Sequence, residues 1–204
     1  MTTFTSIGAV AEFLAGLPPR RRLVGIAGAP GAGKSTIADA LAARIPSSVL
    51  LPMDGYHYPQ AHLVELGRRE RMGAPDTFDV DAFVGTLEAV RFSGEEVLAR
   101  GFDRTIEEPV ANSIRISPEK RTIIVEGNYL LCDGGGWERV APLLDTTFFV
   151  TIDDEVRHER LIERHVRFGK SPEDARAWAL GPDEVNARLI TASAPRADHT
   201  ITLS

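Results

Sequence analysis

Gly28-Ala29-Pro30-Gly31-Ala32-Gly33-Lys34-Ser35-Thr36 is the stretch that decides how this chain folds. It fits the phosphate-binding pattern G-x-x-x-x-G-K-[ST] at Gly28, Gly33, Lys34 and Ser35. Glycines let successive backbone N–H groups turn inward toward phosphate oxygens. Lys34 brings a compact positive charge to the β- and γ-phosphates, and Ser35 offers a hydroxyl to Mg2+. The segment Thr36-Ile37-Ala38-Asp39-Ala40-Leu41-Ala42 continues as a good helix, and its N-terminus adds positive potential at the anion. In front of the loop, Arg22-Leu23-Val24-Gly25-Ile26-Ala27 is a short apolar run of strand type, so the motif has the strand–loop–helix context it needs. The chain has only three lysines, Lys34, Lys120 and Lys170. In an arginine-rich sequence, lysine at this position meets a specific need.

Working outward, the pattern is β and α in alternation. Phe4–Leu17 carries apolar residues at near-helical spacing and stops at Pro18-Pro19. After the loop, the helix runs to about Ile45. Val49-Leu50-Leu51-Pro52-Met53 then reads as a buried strand, its proline placing it at a sheet edge or at the strand's end. Residues 54–119 lose the rhythm, keep one clear helix at 80–92 and read as a substrate-binding insertion. Strands return at 121–126 and 146–152. Helices follow at 153–168, 172–180 and 182–191, and a last strand at 199–203. Continuous apolar strands alternating with helices imply a parallel sheet covered on both faces. The reading is one α/β domain over 1–204, a P-loop NTPase with a parallel five-stranded core sheet and helices on both faces.

Composition bounds the function. At 204 residues and 43% hydrophobic content, the chain can bury the core of one domain. A net charge of −6 argues against non-specific nucleic-acid binding. Cys132 is alone, so an intramolecular disulfide is excluded and a reducing compartment fits. No apolar stretch approaches the roughly 20 residues that cross a bilayer. The basic cluster Arg20-Arg21-Arg22 follows the first apolar segment, the reverse of a signal peptide. A soluble cytoplasmic protein with a small-molecule partner is expected, not a nucleic-acid or membrane partner. The sequence does not fix the oligomeric state; a homodimer is compatible with it.

A kinase needs an acid for the metal, a base for the acceptor hydroxyl and cations for the transferring phosphoryl group. Glu126 ends the strand 121–126 at the ligand edge of such a sheet and could hold a water on the metal, or cap the next segment. Asp54 ends the second strand at the same edge. It could take the acceptor proton, or be a turn-forming Asp-Gly. No lysine follows an asparagine, so the Asn-Lys-x-Asp guanine-reading motif of GTPases is missing. Arg157, Arg160, Arg164 and Arg167 share one helix face, where Asp153–Arg157 and Glu163–Arg167 would also make ordinary i,i+4 pairs. Arg68, Arg69 and Arg71 could recognise a carboxylate or phosphate, or be surface charge. Tyr56 and His57, beside Asp54, are candidates for the acceptor pocket.

The order of Gly28–Thr36, Met53–His57, Gly73–Asp79, Gly101–Arg104 and Val125–Gly127 resembles the uridine kinase, phosphoribulokinase and bacterial pantothenate kinase group of P-loop kinases, over about residues 22–170. The resemblance implies ATP and Mg2+ as cofactors and a phosphoryl transfer to a hydroxyl of a pantothenate-, nucleoside- or sugar-like acceptor. It implies Asp54 as the base and a pocket shaped by Pro75–Asp79; should Asp54 be only a turn residue, Asp103 is the next candidate for the base. It places Phe102, Asp103 and Arg104 toward the acceptor, although the family usually has tyrosine first and often histidine third. It makes 153–180 a lid, whose Arg160 and Arg164 would close over the phosphates with a fork that suits them. It sets Ala194-Pro195-Arg196 where related kinases contact adenine. ATP phosphates would then be held by Gly28, Ala29, Pro30, Gly31, Ala32, Gly33, Lys34, Ser35 and Thr36, and the metal by Ser35 with Glu126. The rival class is a regulatory or assembly ATPase without a small acceptor, against which the 54–119 insertion argues.

Overall fold

The computed structural model describes residues 1–203. In chain order its elements are β1 (Thr2–Phe4), α1 (Ile7–Gly16), β2 (Arg22–Gly28), α2 (Lys34–Arg44), β3 (Ser48–Pro52), α3 (Gln60–Glu65), α4 (Val80–Phe92), β4 (Val97–Asp103) and β5 (Glu108–Ile116). They continue with β6 (Thr122–Gly127), β7 (Thr146–Thr151), α5 (Asp154–Arg167), α6 (Pro172–Leu180), α7 (Pro182–Ala192) and β8 (His199–Thr202). A parallel sheet runs in the order β1-β8-β7-β2-β6-β3.

Alternation of side chains across the strands makes two cores. Val24, Ile26, Ile124, Phe148 and Val150 face α1 and α2, where Val10, Leu14, Ile37 and Leu41 cover them. Leu23, Ile123, Val125 and Phe149 face the other way, onto Phe83, Leu87 and Val90 of α4 and Ile190 of α7. Both faces of β2 and β6 are buried, which is why their sequences are apolar throughout.

The sheet has six strands, not the expected five. Thr2–Phe4 pairs with β8, Phe4 opposite Ile201, and the first helix starts later than its apolar spacing implied. Ser6 sets that start by accepting a hydrogen bond from the Ala9 N–H (3.2 Å). β3 lies at the sheet edge, which accommodates Pro52 without loss of a ladder bond.

The insertion holds α4 and an antiparallel hairpin of β4 and β5. Asp79 caps α4 by accepting from the Ala82 N–H (3.1 Å), and its other oxygen accepts from Arg100 of β4 (3.0 Å). The hairpin lies directly on Gly55, where a β-carbon would collide with the Arg100 carbonyl. Glycine after Asp54 is therefore a packing requirement. It brings the hairpin tip beside Asp54.

Candidate active site

The loop between β2 and α2 is built for an anion. Gly31 has φ +81°, and a β-carbon there would stand 2.8 Å from both the Arg157 carbonyl and Leu161 Cγ of α5. Only glycine lets α5 pack this close to the loop. Gly33 caps α2 in the left-handed conformation and makes no side-chain cap. The first N–H groups of α2 thus lack a side-chain acceptor and can meet phosphate oxygens.

Lys34 is buried at the head of α2. Its Nζ donates to the Ala29 carbonyl (3.1 Å) and lies 4.0 Å from Glu126 Oε1. Burial pulls the ammonium below its ordinary pKa, opposed by the carboxylates of Glu126 and Asp54. Burial likewise pushes the Glu126 carboxyl above the ordinary carboxylate range, opposed by the Lys34 ammonium. β3 and β6 are adjacent and in register, Pro52 opposite Glu126. Both acids therefore reach the same end of the sheet, where open α/β sheets bind ligands.

Pro30, Lys34, Ser35, Asp54 and Glu126 line one end of a cleft of about 520 Å3. Of the remaining loop residues, Ala29 and Ala32 are buried and Thr36 is exposed on the first turn of α2. Asp54 is partly exposed and accepts a hydrogen bond from Arg104 Nη2 at 3.2 Å. His57 is buried against Phe78, ring centroids 3.8 Å apart, with Phe102 at 5.4 Å. Burial holds its imidazole below the ordinary histidine pKa, opposed by the Asp54 carboxylate. His57, Phe102 and Arg104 all line the cleft.

Two acceptor-side expectations are corrected. Tyr56 is a core residue: its ring packs on Phe83 and its hydroxyl donates to Thr86 Oγ1 (2.8 Å). Asp103 turns the hairpin, its carboxylate accepting from the Thr105 N–H (2.8 Å), and lies off the cleft wall. Arg196 also lies off this wall, donating to the Leu131 carbonyl (3.2 Å) and to Asp133.

The four arginines of α5 have four different settings. Arg164 lines the cleft. Arg160 is exposed, with Nη1 3.5 Å from where a β-carbon on Gly33 would stand. Arg167 is exposed. Arg157 is buried, donating from Nε to Asp154 (2.8 Å) and from Nη2 to Glu184 of α7 (2.5 Å). Among the described residues, neither Asp153–Arg157 nor Glu163–Arg167 forms an ion pair; the Asp153 carboxylate caps α5 instead. Arg157 thus fixes the start of α5 against α7, beside the phosphate loop. We expect Arg157→Met to lower stability in urea unfolding by about 2–3 kcal/mol. This is less than a fully buried broken pair costs, because Glu184 is 21% exposed and keeps His158. Unchanged stability with lost turnover would instead make Arg157 a phosphate contact.

Apart from Arg69, a candidate among the insertion arginines, and Gly73, which opens the Gly73–Asp79 motif, the rest of the wall was not identified from sequence. Gln60, Arg69, Met72 and Gly73 come from the insertion, and Asn128 from the end of β6. His165, Phe168, Lys170, Trp178, Asp183 and Asn186 come from α5–α7. Lys170 sits over the Trp178 ring at 4.3 Å, and His165 Nε2 is 2.7 Å from Asp183. Asn186 donates to the Gly73 carbonyl (3.3 Å), joining α7 to the insertion across the cleft. Of the three insertion arginines, Arg68 and Arg71 pair with Asp76, and Arg69 reaches the cleft.

No family model matches the chain. It is 34% identical over 161 residues to a provisionally named uridine kinase of Schizosaccharomyces pombe, covering 74% of this chain and 68% of that one. It is 38% identical over 145 residues to an ATP-dependent kinase-like protein of Aspergillus versicolor, covering 66% of this chain and 84% of that one. The crystal structure of a Silicibacter sp. TM1040 protein, provisionally named a fructose transport system kinase, superposes with a TM-score of 0.88 at 35% identity. The match covers 96% of this chain and 98% of that one.

Proposed function

The chain belongs to the uridine kinase, phosphoribulokinase and pantothenate kinase group of P-loop kinases, and from that premise we propose that it moves the γ-phosphoryl group of ATP to a hydroxyl of a small metabolite. The carrying observation is the single cleft with Lys34, Ser35 and Glu126 at the phosphate end and Asp54 beside an acceptor-sized space. Its walls mix Phe78, Phe102, Phe168 and Trp178 with Gln60, Arg69, Asn128 and Asn186. Such walls suit a hydroxylated acceptor, pantothenate-, nucleoside- or sugar-like, whose apolar parts and polar groups both need partners.

The donors on the cleft floor fit Mg2+, a hard cation that takes oxygen ligands. The Ser35 hydroxyl would hold it, with Glu126 behind. When bound, Mg2+ supplies charge neutralisation at the β- and γ-phosphates. The chain's own groups do the rest. Lys34 and the loop N–H groups hold the phosphates. Asp54 takes the proton of the acceptor hydroxyl as its oxygen bonds to the γ-phosphorus. The bond from that phosphorus to the bridging oxygen breaks, and ADP leaves with the electron pair. Arg104, paired with Asp54, orients its carboxylate.

Arg164 acts on the phosphoryl group when the cleft closes. Arg164→Ala should lower kcat about 10–100-fold and leave the acceptor KM within about twofold, since an interaction made only in the transition state shows in turnover. Unchanged kcat would leave Arg164 as surface charge. The function itself is tested by ADP release over a panel of pantothenate, nucleosides, sugars and sugar acids. Acceptor-dependent release with a phosphorylated product by mass spectrometry is expected. Hydrolysis of ATP at one rate whatever is added would overturn the kinase reading.

A further inference from the structure

The arginine cluster before β2 has no part in the cleft. Arg22 turns back to cap α1, donating to the carbonyls of Leu14 (2.7 Å), Leu17 (3.3 Å) and Pro18. Arg20 and Arg21 instead line a second cavity of about 210 Å3 with Leu23, Arg91, Phe92 and Asp145. This cavity lies at the N-terminal end of β2. The seven residues of the strand put it roughly 20 Å from the phosphate loop.

Three guanidiniums and one carboxylate meet there, and two of the guanidiniums share it. Asp145 is nearly buried and already engaged. Its Oδ2 accepts from the Leu23 N–H (2.8 Å) and Arg91 (3.1 Å), and its Oδ1 is 3.3 Å from Arg20. Arg21 receives no share: its Nε and Nη2 are buried and, among the described residues, have no acceptor. Buried N–H donors of a charged group without an acceptor are costly, and an anion reaching them would relieve that cost. The balance is three positive charges against one negative, in a chain whose net charge is −6. The Phe92 ring, 71% exposed, stands at the rim with the Arg91 guanidinium 5.8 Å from its centroid. Such a ring gives the non-phosphate part of a ligand an apolar surface.

We propose that this cavity is a second anion site, distinct from the catalytic cleft, that takes a phosphate group or a small phosphorylated metabolite. Guanidinium is the cation suited to it, because its fork meets two phosphate oxygens at once. Asp145 holds Arg91 and Arg20 at the walls, and Arg21 supplies the open donors. Asp145 immediately precedes β7 and bonds the backbone of β2, so the ligand would sit at the root of the strand that carries the phosphate loop.

The test is nuclear magnetic resonance of the full chain, following the Arg21 Nε–H and the Leu23 amide for this cavity and the Gly31 and Gly33 amides for the loop. Inorganic phosphate, pyrophosphate, AMP and ribose 5-phosphate are titrated separately, which distinguishes free phosphate from a phosphorylated metabolite. At least one is expected to shift Arg21 and Leu23 saturably, with a midpoint different from that of the loop. Arg21→Gln should weaken the Leu23 response at least tenfold and leave the loop response in place. Arg91→Gln is the second variant, in case the first perturbs the fold, and should act likewise. Shifts confined to Gly31 and Gly33, no shift at Arg21 and Leu23 with any probe at 10–20 mM (roughly tenfold above weak phosphate affinities), or a Leu23 response equal in both folded variants would overturn the proposal.

Discussion

Lys34→Ala is expected to cut turnover by at least about 10²–10³-fold, the cost of removing one preorganised charge from a phosphoryl-transfer site. ATP affinity should fall strongly with it, because the ammonium serves bound ATP as well as the transition state. The variant also changes a pair. Glu126 is buried and held in check by the ammonium 4.0 Å away. With the ammonium gone, burial and the neighbouring Asp54 carboxylate push the carboxyl toward its protonated form, and only Arg104 and the Ser35 hydrogen bond oppose them. A carboxyl whose pKa is raised in the folded state binds more protons folded than unfolded. Its stabilising contribution is present below the unfolded pKa and is lost as pH rises through the folded one. Lys34→Ala should therefore lose stability from mildly acidic to neutral pH more steeply than the parent, and Lys34→Ala/Glu126→Gln should lose that dependence. Turnover and calorimetric ATP affinity, with urea unfolding at several pH values, check all three statements. A folded Lys34→Ala variant with full activity would remove the P-loop kinase mechanism.

The parts that could be read from sequence are those where one local signal fixes structure. Leu23–Ala27 and Thr122–Val125 are buried on both faces, so their apolar runs announce strands. The glycines and Lys34 announce the loop. The β4–β5 hairpin gave no such signal, because Val110–Ser113 of β5 are exposed and Asn112 takes a positive φ (55°), which leaves no alternation to detect. Tyr56 misled because it is two residues from Asp54. Met53–Tyr56 is a 3-10 turn, which sends Asp54 to the cleft and Tyr56 into the core, and His57 returns to the cleft just after it. Asn128 and Asn186 could not be found from sequence, since only the topology brings β6 and α7 to one wall. Lys170 did carry a signal: it is one of three lysines in an arginine-rich chain.

The arginines of α5 show what spacing alone leaves undecided. Arg157, Arg160 and Arg164 lie on one face of α5, yet burial separates them. The first turn of the helix is pinned against Gly31 and α7, while Arg164 stands on the cleft wall. In the proposed mechanism, a pinned root would give the outer half of α5 a fixed point to move about, and closure would carry Arg164 onto the phosphates without disturbing the loop.

Asp54→Asn should retain ATP binding and lose about 10²–10⁴-fold in turnover, the usual cost of a lost general base. Asparagine has nearly the same shape, and its carbonyl oxygen can still accept the Arg104 hydrogen bond seen at 3.2 Å. The His57 N–H bond to the residue-54 carbonyl (3.1 Å) is a backbone contact and survives too. The turn therefore stays in place, and what disappears is the negative charge and the ability to take a proton. Asp103→Asn is the control. Its carboxylate is engaged with the Thr105 N–H and lies off the cleft wall, so turnover should stay within about tenfold of the parent, far from a base's loss. The loss at Asp54 should appear in kcat with the ATP dissociation constant unchanged, because the proton moves only in the transition state. Calorimetry of ATP binding and acceptor-dependent ADP release on the same preparations separate the two quantities. Near-parental turnover of Asp54→Asn with a collapse at Asp103→Asn would transfer the base to the hairpin, and would require the tip to rotate Asp103 into the cleft when the acceptor binds.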